Sequence, residues 1–74
     1  MEWLQSKHGD FFCEINGFDF FIHCVPDTTT CVVSVFQDHL VWTLPETNSV
    51  DAAKAQALHW LTNEDNREPG EKID

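Results

Sequence analysis

Phe11-Phe12-Cys13-Glu14-Ile15-Asn16-Gly17-Phe18-Asp19-Phe20-Phe21-Ile22-His23-Cys24-Val25 is the stretch on which the fold turns. Two runs rich in aromatic and β-branched residues, 11–15 and 18–25, flank Asn16-Gly17. Asn-Gly between such runs is the strongest short hairpin signal, because a type I′ turn needs φ > 0 at both central positions. A two-residue loop sets Ile15 against Phe18, Glu14 against Asp19, Cys13 against Phe20, Phe12 against Phe21 and Phe11 against Ile22. Side chains alternate between the faces of a strand. One face therefore holds Phe11, Cys13, Ile15, Phe18, Phe20, Ile22 and Cys24, and its wholly apolar character makes it the core side. The other holds Phe12, Glu14, Asp19, Phe21, His23 and Val25, a mixture of acids and aromatics. A bulge at the hairpin tip is the alternative that would break this pairing.

Outward from the hairpin, Pro26-Asp27 ends the strand in a turn, since proline cannot continue a ladder. Residues 30–37 and 40–44 read as the next two strands, joined through Asp38-His39. Cys31, Val33, Val35, Leu40, Trp42 and Leu44 fall on the core face, and Val32, Ser34, Phe36, Val41 and Thr43 on the outer one. Residues 3–7 read as a short first strand. Pro45 stops the sheet, and Asn48 or Ser49 can cap a helix with Asp51 in its first turn. Val50, Ala53, Ala57, Trp60 and Leu61 recur at helical spacing as one apolar stripe. From Thr62 onward polarity is high and periodicity vanishes. The expected fold is α+β: an antiparallel β-meander of four to five strands with one C-terminal helix packed on one face. Residues 1–61 form its single domain, and residues 62–74 an acidic, flexible C-terminal tail.

The chain has 74 residues, 13 Asp plus Glu and 4 Lys plus Arg, for a formal net charge of −9. That length allows one small domain, whose single core supplies ~3–5 kcal/mol. A hydrophobic content of 42%, with 6 Phe and 3 Trp, argues against disorder. The acidity spreads over both parts: residues 1–61 contain 8 acids and 2 bases, residues 62–74 contain 5 acids and 2 bases. Such a charge opposes direct binding to nucleic acid or to an anionic membrane. Apolar stretches such as Phe20-Phe21-Ile22 fall far short of the ~20 residues that span a bilayer. Met1-Glu2-Trp3-Leu4-Gln5-Ser6-Lys7 shows neither a basic leader nor an apolar run, and 3 cysteines cannot all pair within one chain. The chain therefore reads as cytoplasmic, with free thiols.

The residues offer little to catalysis. Cys13, Cys24 and Cys31 lack the close ligand pairs of structural zinc sites, and His23 points to the opposite face from its neighbour Cys24. Glu14 and Asp19 could share a proton, but on an open sheet face where no cleft is expected. No Gly-rich phosphate loop or nucleophile elbow is present. The expectation is a protein that is not an enzyme and that takes no metal or cofactor.

The acid pair points elsewhere. Like charges directly opposite in a sheet cost stability, which a solvated face tolerates and an interface exploits. Aromatic residues ringed by carboxylates suit a basic protein partner. The candidate partner-binding residues are Phe12, Glu14, Asp19 and Phe21, with Asp10 and Asp27 as outer charges. In size, acidity and inferred architecture, the domain from Trp3 to Leu61 resembles the small phage anti-CRISPR proteins. That resemblance implies an inhibitor that occupies a basic surface of a CRISPR effector complex. Those families share no sequence signature, so it transfers no residue roles. Leu40-Val41-Trp42-Thr43-Leu44-Pro45 departs from the Ser-Leu-Trp-Pro run of the small MbtH-like proteins, which sets that family aside. The rival expectation is a small accessory or assembly subunit that uses Phe36/Val41 and Phe12/Phe21 as an apolar interface. The sequence leaves the oligomeric state open.

Overall fold

A computed structural model of the protein describes residues 2–63 and 69–72. Among these, the chain runs β1 (Leu4–Gln5), β2 (Phe11–Ile15), β3 (Phe18–Cys24), β4 (Cys31–Gln37), β5 (Leu40–Thr43), α1 (Val50–Thr62) and β6 (Glu71–Lys72). The strands form one antiparallel sheet in the order β1-β2-β3-β4-β5-β6. Helix α1 lies on one face, against β3 and β4. The α+β meander with a single packed helix is thus the fold, with six strands among the described residues.

The hairpin of β2 and β3 has the expected register throughout, from Phe11 against Ile22 to Ile15 against Phe18. Asn16 and Gly17 adopt φ of 53° and 83°, the two positive values that a type I′ turn requires. Pairing stays continuous up to the turn, so no bulge forms. Phe20, Ile22, Val33 and Val35 are fully buried beneath α1, joined by Phe18, Cys31 and Leu44. Buried Ala53 and Ala57 present no bulk, which lets the helix approach the sheet closely. Trp60 fills the space at its end, with ring centroids 5.1 Å from Phe18 and 5.2 Å from Trp42, both edge to face. Each such pair contributes about 0.5–1.5 kcal/mol beyond its burial.

Beyond β5 and Pro45, Thr47 returns to β4. Its N–H donates to the Cys31 carbonyl and its carbonyl accepts from the Cys31 N–H, at 2.9 and 2.8 Å. That bridge delivers Ser49 to the start of the helix, where its Oγ accepts from the Ala52 N–H at 3.0 Å. Ser49, rather than Asn48, is the cap.

The expected tail over residues 62–74 needs correction where it is described. Thr62 closes the helix, and Glu71 and Lys72 pair with Val41 and Leu40 of β5. Gly70 permits this return: a Cβ there would lie 2.7 Å from Cε2 of Trp42. Only a residue without a side chain can cross the indole at that height. Residues 64–68 and 73–74 of the expected tail lie outside the described residues. Among the described residues, no helix is long and apolar enough to cross a membrane.

Candidate protein-binding face

Among the described residues, no element covers the sheet face opposite α1. Its outward side chains stand in rows set by the strand registers. One row runs Leu4, Phe12, Phe21, Ser34, Thr43 across β1 to β5. The next runs Glu14, Asp19, Phe36, Val41, Glu71 across β2 to β6. Leu4, Phe12, Phe21 and Phe36 remain 55, 40, 36 and 36% exposed, which makes the middle of this face an apolar patch open to solvent. Contiguous exposed apolar surface rimmed by polar groups is the usual mark of a contact site.

Five of the six residues expected at the interface meet here. Phe12 and Phe21 are direct cross-strand partners, and so are Glu14 and Asp19, the next pair along on the outward face. Asp10, just before β2, joins them at the other end. Its Oδ1 accepts from Nδ1 of His23 at 2.9 Å, and His23 occupies the outward position two residues beyond Phe21 on β3. The aromatic pair is therefore flanked on both sides by carboxylates. Asp27 does not join the face. It lies in the turn between β3 and β4 with φ of 62°, past the last outward strand position, because the chain must reverse after Pro26.

The charge on this face has one sign. The outward strand positions carry Glu14, Asp19 and Glu71 but no Lys or Arg. Among the described residues, no cation forms an ion pair with Glu14 or Asp19. Lys54 sits on the helix side instead, with Nζ 4.7 Å from the centroid of the Phe11 ring. Leu4 also belongs to the face, a place not evident from sequence. Its place follows from Leu4 pairing with Phe12, and the only cue in sequence is the inward-outward alternation of Trp3 and Leu4.

Compared with known proteins, the chain matches no family model, no curated protein and no solved structure. Its own geometry must then say what the face can do. Among the described residues, Glu14 and Asp19 stand on open sheet, without walls to exclude water or hold a substrate. A hollow between β5 and the end of α1 is lined in part by Trp42, Trp60, Gln56 and His59 and includes neither Glu14 nor Asp19. Among the described residues, no three His, Cys, Asp or Glu side chains gather where an ion could be held. What the face offers is apolar area for burial and carboxylates that would meet Lys or Arg across an interface.

Proposed function

We propose that this chain is a non-enzymatic, cytoplasmic inhibitor that docks its uncovered sheet face on a basic protein surface used to handle nucleic acid. The reading rests on one observation: an exposed aromatic pair, Phe12 and Phe21, lies between Asp10 and the facing acids Glu14 and Asp19, on strands that offer no outward Lys or Arg. Burial of the aromatics would supply affinity, and the acids would supply orientation and on-rate. A net charge of −9 adds long-range steering toward a basic groove. Size, acidity and meander architecture make a phage anti-CRISPR protein the specific form of this proposal, with a CRISPR effector complex as the partner.

The test is capture of partners by the tagged protein from a bacterial lysate containing CRISPR effectors, washed at low and high salt and identified by mass spectrometry. The expected result is a nucleic-acid-handling complex that is lost at high salt and lost again when Glu14→Lys and Asp19→Lys are combined. Retention of that complex by the double variant would place the binding face elsewhere.

One observation favours a second reading. Leu4, Phe12, Phe21 and Phe36 leave enough apolar surface on one face to suit an accessory or assembly subunit. Such association would survive high salt, because burial of apolar surface is not screened. A salt-resistant metabolic complex, or the protein alone, would favour it.

A further inference from the structure

The binding face makes no use of the three cysteines. Cys13 is buried on β2 opposite Phe20. Cys24 and Cys31 are direct partners across β3 and β4. The adjacent pair holds a ladder bond, with the Val25 N–H donating to the Thr30 carbonyl at 2.9 Å. Hydrogen-bonded and non-hydrogen-bonded pairs alternate along an antiparallel ladder, so Cys24 and Cys31 form a non-hydrogen-bonded pair. The backbone of Cys31 agrees, since its N–H and carbonyl both bond to Thr47. At such pairs the Cα atoms approach to ~4.5 Å, within the ~4.4–6.8 Å seen in disulfides. The two Sγ atoms are 2.6 Å apart. A hollow lined in part by Cys24, Thr28, Thr29 and Cys31 opens to solvent beside them. Cys13 does not compete, because its partner Phe20 lies four residues along β3 from Cys24, a span of roughly 13 Å.

We propose that Cys24 and Cys31 form a reversible disulfide, a redox site that clips the turn at residues 25–30 shut beside the Thr47 bridge to α1. The oxidant is a low-molecular-weight disulfide, RSSR. Cys24, the more exposed of the two, gives up its proton and attacks one sulfur of RSSR. The S–S bond of the reagent breaks, a mixed disulfide forms on Cys24, and the departing thiolate takes up the proton as RSH. Cys31 then gives up its proton and attacks Sγ of Cys24, which displaces the second RSH. The cysteines lose two hydrogens and two electrons, and RSSR becomes two RSH. Burial, the neighbouring Cys31 thiol and the charge of Asp10 hold Cys24 up to about 11. Reduced Cys24 is therefore a neutral thiol, and its exchange at neutral pH is slow.

The test is equilibration of the full chain in glutathione buffers from fully reduced to fully oxidised. Samples are acid-quenched, alkylated under denaturing conditions, and analysed by intact mass and peptide mapping. Two thiols should disappear together at the oxidised end, with a mass loss of two hydrogens and a cross-linked peptide joining Cys24 to Cys31. Cys13 alone should then take the alkylating agent, and dithiothreitol should restore all three thiols. Three alkylated cysteines at the oxidised end, a persistent glutathione adduct, or a link involving Cys13 or a second chain would each overturn the proposal.

Discussion

Glu14 and Asp19 face each other across the hairpin with no cation among their described neighbours, and such a pair opposes the sheet that holds it. Exchange of one like-charged partner for an opposite charge contributes roughly 0.2–1 kcal/mol. Glu14→Lys should therefore stabilise the protein at low salt. With the relief of repulsion included, the gain approaches about 1 kcal/mol, or roughly 4–8 °C in Tm for a domain of this size. Thermal melts at low and high ionic strength check this, with the gain shrinking as salt rises. An unchanged melting temperature would mean that water already screens the pair. Both acids were legible as a facing pair in the sequence, because Asn16-Gly17 alone specifies their register. The meeting of Cys24 with Cys31 was not. It depends on the register of β3 with β4, which the turn at residues 25–30 sets through the left-handed Asp27, and no local pattern encodes that.

Elements with strong periodicity or special turn chemistry emerged from the sequence nearly intact. The β2–β3 hairpin is one, and α1, with its Ala53, Ala57 and Trp60 stripe, is another. Strand β6 lacked any such cue, since a two-residue pairing has no hydrophobic alternation to read and Gly70 stands among polar residues. What holds β6 in place is the room that Gly70 leaves above Trp42. A methyl group there forces overpacking, which typically costs about 1–3 kcal/mol. That is enough to release so short a strand without disturbing the rest of the sheet. In Gly70→Ala, hydrogen exchange should show faster exchange for Glu71, Lys72 and the β5 amides that pair with them, while Val33 and Val35 keep their protection. Slow exchange maintained along β5 would show that β6 has another anchor.

The molecule as a whole rests on one small core, and its margin is narrow. A single core in a chain below ~70–80 residues supplies ~3–5 kcal/mol, and Phe→Ala at a buried site costs about 3–5 kcal/mol. Phe20 is 1% exposed at the centre of that core. Phe20→Ala should accordingly be largely unfolded at 25 °C, as read by loss of the far-UV circular dichroism and of a cooperative melt. A cooperative transition that survives would mean that the aromatic ring cluster carries more than its share. Net acidity was plain in the composition, and Phe36 was legible beside Phe12 and Phe21 on the outer face, whereas the extension of the apolar patch to Leu4 was not, because Leu4 joins Phe12 only through the register of β1 with β2. The strand order itself bears on how the chain reaches this state. Each strand from β2 to β5 pairs with the one just before it, so sheet growth needs no distant segments to find each other first. Loop-closure entropy stays small at every step, which places the protein toward the quicker end of mixed α/β folders. Hairpins can zip in succession as the chain emerges, and α1 then settles on a platform already laid.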